Sequence, residues 1–293
     1  MTYNHELYIR EAMDGIMMQK TDFKVELVIG DDFSDDKTLE IMKGYKDSEN
    51  IDIKVLNRKK GDNYWKTRQA LGRLYNFSNI LENCTGKYVA LLDGDDYWID
   101  PLKLQKQFDF MESHAECSVC FTAAKTLNEK YPQKSFIYRP KKSMQERTYS
   151  IEDSIIKTGN FMPTASIFFH QKYIKEIPEW VFSSPVGDMP LSLFLGTKGQ
   201  YGYIDDVTCV YRVFATGSWN SQMNFEKRRK LVAGFLETLD AFNLYTNKRY
   251  NRIVQLEKAR VKFNDIKSVV KRYVATSKFV SFLNKKLIKS ANL

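Results

Sequence analysis

Residues 88–92, Tyr-Val-Ala-Leu-Leu, form a short apolar run between Gly86 and Gly94, and Asp93, Asp95 and Asp96 sit together at its end. A run of that length flanked by glycines reads as a fully buried strand. Three carboxylates within four residues repel one another unless a cation or several hydrogen bonds neutralise them. Two readings follow. The carboxylates are hard oxygen ligands suited to Mg²⁺ or Mn²⁺, metals that usually also hold substrate phosphates. Alternatively they form an acidic turn capping the helix that begins near Pro101.

The chain on either side tells which architecture holds that strand. Leu7, Ile9, Ala12, Met13, Ile16 and Met17 recur at helical spacing behind Asn4, which reads as the N-cap. Residues 23–29 read as a strand that ends at Asp31 and Asp32, and Ser34 as the cap of a helix through Thr38, Ile41 and Tyr45. A strand over 51–56, a helix over 63–83, the central strand, a helix over 101–112 and a strand over 117–122 follow. Such alternation predicts an α/β fold with a doubly wound, mostly parallel, Rossmann-like sheet. Ligands of these sheets bind outside the carboxyl ends of the strands. Here two such ends carry acidic clusters. The pattern weakens over 125–160. Asp188 then opens a helix closed by Gly199, and strands follow over 201–204 and 207–213.

At 293 residues the chain holds one large domain, or one domain with an appendage. Cys117 and Cys120 lie inside an apolar run and read as buried strand cysteines; with three His and four Cys a structural zinc site is not expected. No apolar run reaches the ~18 residues of a membrane span and none reads as a signal peptide, so a reducing cytoplasm is the expected setting. The net charge of +9 is unevenly spread: residues 221–293 hold 17 basic and 5 acidic side chains, whereas residues 1–220 hold 28 and 31. The boundary between body (1–220) and basic extension (221–293) is drawn there.

Residues 222–290 read as helical throughout, with Ile266, Val269, Val270, Tyr273, Val280, Leu283 and Leu287 on one face. From Lys267 onward there are seven Lys or Arg and no acid. An apolar face beside unopposed basic charge marks an interfacial helix on an anionic membrane, over residues 266–290. Packing on the chain's own body, or on a second copy in a homodimer, is the alternative. Nucleic acid is not an expected partner, because no stacking platform or recognition module accompanies the charge.

Several segments in order carry a family resemblance. They are Thr2-Tyr-Asn-His-Glu, Val28-Ile-Gly-Asp-Asp-Phe-Ser-Asp-Asp-Lys-Thr38, Ala90-Leu-Leu-Asp-Gly-Asp-Asp-Tyr-Trp98 with Asp100-Pro-Leu-Lys-Leu-Gln-Lys-Gln107, Met162-Pro-Thr-Ala-Ser166, Gly187-Asp-Met-Pro-Leu191 and Tyr211-Arg212. With these the chain resembles the family 2 glycosyltransferases of GT-A fold, in the bacterial branch that builds capsule, O-antigen and other surface polysaccharides. The resemblance implies an inverting transferase that takes a nucleotide-diphospho-sugar, usually a UDP-sugar, to a glycan or lipid-linked acceptor at the inner face of the plasma membrane. It implies that Asp32, with Asp31, meets the nucleotide base and that Thr2 and Asn4 lie beside the nucleotide. Asp95 and Asp96 would hold the ribose and a Mn²⁺ or Mg²⁺ ion on the diphosphate, with Asp93 close by. Asp188 would be the catalytic base, or on the plainer reading a helix cap.

Two departures qualify this. Relatives carry an apolar strand of five or six residues directly before Thr-Tyr-Asn, where only Met1 stands here, so an upstream start adding roughly six to ten residues is expected. Relatives also carry a His where this chain has Phe214. Both keep a second function in view: a non-catalytic GT-A protein that binds a nucleotide or a partner.

Overall fold

A computed structural model describes residues 1–140, 148–156, 161–218 and 221–291, with side chains as far as Lys271 and at Val274. Ile9, Ala12, Met13 and Ile16 form the buried side of α1 (Ile9–Met17). The helix starts later than expected, and Asn4 does not cap it. The Asn4 side chain instead exchanges hydrogen bonds with Asp35, donating to Oδ1 at 2.6 Å and accepting from the amide at 3.0 Å. Next come β1 (Val25–Ile29), α2 (Thr38–Lys43) and β2 (Ile51–Val55), with β1 and β2 paired in parallel.

The helix expected over 63–83 is two helices, α3 (Asn63–Leu71) and α4 (Leu74–Glu82). Gly72 separates them at φ +83°, a conformation that only glycine adopts freely. Then follow β3 (Tyr88–Ala90), β4 (Tyr97–Trp98), α5 (Lys103–Ser113), β5 (Cys117–Asn128), β6 (Phe136–Tyr138), β7 (Thr148–Tyr149), α6 (Ile151–Ile156), β8 (Phe168–His170), α7 (Glu179–Phe182), α8 (Asp188–Gly196) and β9 (Gln200–Val213). Two long helices end the chain, α9 (Phe225–Tyr245) and α10 (Asn251–Ala291).

The main sheet runs β3-β8-β5-β9-β4, with β6 on β5 and β7 on β9. Its class is α/β as expected, but its pairing is more mixed: β5 and β9 run parallel, while the other ladders of this sheet are antiparallel. The strands expected over 201–204 and 207–213 are one strand. It stays paired with β5 across Asp205 and Asp206 through register shifts at Thr122–Ala124, the local slip by which a sheet absorbs an irregular residue.

The core lies between this sheet and α8, whose Leu191, Leu193, Phe194 and Leu195 are almost wholly buried. Burying side chains of that size contributes about 1.5–3 kcal/mol each. Leu239 and Phe242 of α9 and Val254 of α10 join the same cluster, so the core continues past residue 220. Cys117 and Cys120 are buried and free, as read from the sequence. The strand expected to be fully buried departs from that: Tyr88, Ala90 and Leu92 are half-buried, as are residues 25–28 of β1. The reason is a cavity of about 280 Å³ running between β1 and β3.

Candidate active site

At the carboxyl end of β3 the chain turns through Asp93, Gly94, Asp95 and Asp96. The turn is closed by the Asp96 amide donating to the Asp93 carbonyl at 3.0 Å. A Cβ on Gly94 would lie 2.7 Å from His5 Nδ1 and 2.9 Å from Thr2 Oγ1, so only glycine lets the N-terminal residues close on this turn. Asp96 is 1% exposed. Its Oδ1 accepts from the Arg212 amide at 2.7 Å, whereas its Oδ2 is buried and has no hydrogen-bond partner among the described residues.

Burial pushes the carboxyls of Asp93, Asp95 and Asp96 above their ordinary range. Mutual repulsion adds to the shift, most of all at Asp96. Arg212 braces the turn from below. Its Nη1 donates to the Asp95 carbonyl at 2.7 Å and its Nη2 to Glu11 Oε1 at 2.7 Å. Its guanidinium lies between the rings of Tyr8 and Tyr97, at 4.9 and 4.5 Å. Nε stands 3.2 Å from Glu129 Oε1, close enough for an ion pair but off the line of a hydrogen bond.

The second acidic turn follows β1. Asp31 is 7% exposed and holds its own loop: Oδ2 accepts from the Ser34 amide at 2.9 Å and Oδ1 from the Ser34 hydroxyl at 2.5 Å. Asp32 faces Arg68, whose Nε donates to both carboxylate oxygens at 2.9 Å and whose Nη2 donates to Oδ2 at 2.6 Å. Ser34 does not cap α2: the N-cap position is Lys37, without a side-chain cap, and Asp36 accepts from the Thr38 amide at 2.9 Å just ahead of it. Thr2 and Asn4 both reach this turn. The Thr2 backbone pairs with Gly30 and Asp32, and Asn4 adopts φ 54° to meet Asp35.

Asp188 opens α8, with Oδ1 accepting from the Met189 amide at 2.8 Å and Oδ2 lying 3.4 Å from Thr164 Oγ1. Burial raises its carboxyl, and the nearby charge of Asp93 raises it further. Arg73, at the start of α4, feels both charges and donates to the Pro185 carbonyl at 2.5 Å. The sequence-derived residues thus gather at one edge: Thr2, Asn4, Asp31 and Asp32 on one side, Asp93, Asp95 and Asp96 in the middle, and Asp188 beyond.

Sequence reasoning missed the roles of three arginines and the backbone strain at two positions here. Arg58 lies 3.9 Å above the Tyr64 ring and donates to the Asp31 carbonyl at 3.1 Å. Arg68 and Arg73 flank the break at Gly72, and that glycine inside a helical pattern was the signal that could have placed them. Phe214 adopts φ 65° and Phe33 the same, in the region that bulky side chains avoid. The turn after Phe214 packs near the N-terminal loop, with the Thr216 amide donating to the Tyr8 hydroxyl at 2.8 Å.

Among the described residues no three His, Cys, Asp or Glu side chains converge as a ready-made metal cage. That donor set still suits Mg²⁺ or Mn²⁺, which take one or two carboxylates and complete their shell with substrate phosphate and water. The orphaned Asp96 oxygen, beside Asp95, is the donor such an ion would meet.

The profile of glycosyl transferase family 2 matches residues 1–174. An uncharacterised protein of Mycobacterium tuberculosis is 33% identical over 249 residues, which are 82% of this chain and 65% of that protein. The chain therefore spans just under two thirds of the length of that relative. Among solved structures, Staphylococcus aureus TarS (residues 1–349, with UDP-GlcNAc) superposes with a TM-score of 0.57 at 18% identity, over 81% of this chain and 64% of that one. The mannosyltransferase PcManGT of Pyrobaculum calidifontis, in complex with GDP-Man and Mn²⁺, gives 0.54 at 13% identity, over 96% and 78%. At such identities the likeness speaks for the fold, which is the GT-A architecture. The chain belongs to glycosyl transferase family 2.

Proposed function

We propose that this chain is an inverting, metal-dependent glycosyltransferase. It moves a sugar from a nucleotide-diphospho-sugar, a UDP-sugar in the first instance, to a glycan or lipid-linked acceptor in surface-polysaccharide synthesis. The observation that carries the reading is the buried Asp93–Asp96 turn, with Asp96 Oδ2 left without a hydrogen-bond partner among the described residues and Asp188 near enough to feel the charge of Asp93. Donor diphosphate and acceptor hydroxyl would meet between them.

Asp188 takes the proton of the acceptor hydroxyl while that oxygen attacks the anomeric carbon from the face opposite the diphosphate. The new carbon–oxygen bond forms as the bond to the diphosphate breaks, and the diphosphate leaves with its electron pair. Burial of Asp188 strengthens its hold on a proton, which is what a base working near neutral pH requires. Asp95 and Asp96 would hold Mn²⁺ or Mg²⁺, whose chemistry when bound is to neutralise charge on the departing diphosphate. Asp32, with Asp31, Thr2 and Asn4 around it, meets the base; an ionised carboxylate has lone pairs to spare beside Arg68. The nucleotide-sugars named with TarS and PcManGT, and the Mn²⁺ of the latter, support this donor class and metal.

An exposed apolar face on the C-terminal helix supports a reading in which the reaction runs at the inner face of the plasma membrane. On α10, Leu256, Phe263, Ile266, Val269, Val270 and Val274 are exposed, and 263, 266, 270 and 274 follow helical spacing along one face. Tyr273, Val280, Leu283 and Leu287 lie outside the described side chains. No described helix is long and apolar enough to cross a membrane, so the contact would be peripheral.

A screen of UDP- and GDP-sugars for slow hydrolysis, with and without Mn²⁺, tests the reading. One donor should be turned over, and faster with the metal. Failure of every nucleotide-sugar to bind or react would overturn it.

A further inference from the structure

The loop from α7 to α8, residues 183–187, carries Asp188 to the site, and it is gripped from two sides. On one side is α4. The Arg73 guanidinium donates to the Pro185 carbonyl, and a Cβ on Gly187 would lie 2.9 Å from the Phe77 ring, so helix and loop meet closely there. On the other side is α9, which lies beyond the boundary that charge alone draws at residue 220. Two of its residues, about one helical turn apart, touch the loop.

The first is Gly234. A Cβ there would lie 2.6 Å from Pro185 Cγ and 2.7 Å from its Cδ, well inside the ~3.5 Å at which carbon atoms rest against each other. Glycine is the weakest helix former after proline, so its place inside a 21-residue helix points to packing. The second is Thr238, whose hydroxyl is hydrogen-bonded to the Ser184 hydroxyl at 3.0 Å and to the Gly234 carbonyl at 2.7 Å. Thr238 and Ser184 are both buried, so neither hydroxyl can exchange its partner for bulk water.

The elements on either side of the loop are tied to the same helix. The Trp180 ring of α7 packs on Phe242 and Tyr245 of α9, with centroids 6.1 and 5.8 Å away, and Phe194 of α8 lies 6.5 Å from Tyr245. Asp188 does little to fix its own position. Its carboxylate accepts from the adjacent Met189 amide and, at the long distance of 3.4 Å, from Thr164. The backbone that carries Asp188 therefore sets where the carboxylate sits, and α9 holds that backbone. Displacing a reacting group by about 1 Å can cost ~10²-fold in rate.

We propose that Gly234 and Thr238 of α9 are positioning residues for Asp188, so that the C-terminal helical extension completes the catalytic unit. The proposal rests on the reading of Asp188 as the base.

The test uses the full chain, UDP with Mn²⁺ as the binding probe, and hydrolysis of the nucleotide-sugar that the screen turns over, water standing in for the acceptor. Thr238→Val removes the hydroxyl, Thr238→Ser keeps it, and Gly234→Ala drives a methyl group into Pro185. Thr238→Val and Gly234→Ala should each lower kcat about tenfold, with donor KM and the stoichiometry of UDP binding unchanged. Thr238→Ser should recover most of the rate. Hydrogen exchange of the Met189 amide, the donor to Asp188, should quicken about tenfold in the two slow variants. Should Gly234→Ala fail to fold, the two Thr238 variants decide. Unchanged kcat and exchange in Thr238→Val would overturn the proposal. So would a loss of rate matched by an equal loss of UDP-binding stoichiometry, which marks a merely structural role. Asp188→Asn in the same assay separates this claim from the one beneath it. If that variant hydrolyses the donor at the wild-type rate, the base assignment falls, while faster Met189 exchange in Thr238→Val still upholds the grip of α9 on Asp188.

Discussion

The two acidic turns, after β1 and after β3, have the same kind of sequence and differ in how their charge is compensated. In the turn after β1 every carboxylate oxygen of Asp31 and Asp32 has a donor, from Ser34 or Arg68. In the turn after β3, Asp96 Oδ2 has none among the described residues; burial raises all three acids, and repulsion from neighbouring aspartates adds to the shift at Asp93 and Asp96. A compensated acid holds a loop in shape. A buried, uncompensated acid stores an unfavourable interaction that a cation relieves. The difference separates residues that build the pocket from those that would do its chemistry, and Asp188, raised by burial and by Asp93, falls with the second group.

The comparison breaks if an uncompensated acid proves dispensable. Asp188→Asn should lower transfer by ~10²-fold or more, the scale for loss of a general base, with nucleotide affinity nearly intact. In the wild type the active form of Asp188 is deprotonated and its pKa is raised, so the rate should fall with decreasing pH above the ordinary carboxylate range. A pH–rate profile whose acid limb lies in that ordinary range would count against the assignment.

A smaller effect is expected from the positive counterpart of this imbalance, the unopposed charge on α10. Cutting at Asp265 removes seven Lys or Arg, each worth about 1 kcal/mol near an anionic surface, and should cut liposome binding at least about tenfold. Salt should weaken binding of the full chain in the same assay by screening. Equal sedimentation of both chains rules the contact out.

The smallest functional effect belongs to the compensated turn. Asp31→Ala removes two hydrogen bonds to Ser34 and should destabilise the fold by about 1–2 kcal/mol. Metal stimulation of nucleotide binding should survive it, which a denaturant midpoint paired with a binding curve would show.

Much of this contrast was hidden in the sequence for physical reasons. Apolar runs ending in glycine and aspartate placed β1, β3 and both turns, because strand burial and turn chemistry are local. Which acid is neutralised depends on Arg68, thirty-six positions from Asp32, and on the helix break at Gly72 that aims it. Asn4 read as a helix cap because the cap preference is local too, yet its partner is Asp35 across the loop. The half-burial of β3 reflects the cavity between it and β1, which no residue of β3 announces. Family resemblance, by contrast, rests on motif order and survives such errors.

The most direct test of the central claim is calorimetric titration of UDP, with and without Mn²⁺, into wild type, Asp96→Asn and Asp32→Ala. Asn at 96 keeps an oxygen for the Arg212 amide, so the turn is preserved while its charge is lost. The account predicts that Asp96→Asn abolishes the Mn²⁺ enhancement and leaves metal-free binding in place, whereas Asp32→Ala weakens binding with and without metal. Equal UDP affinity and equal Mn²⁺ response in all three proteins would contradict it.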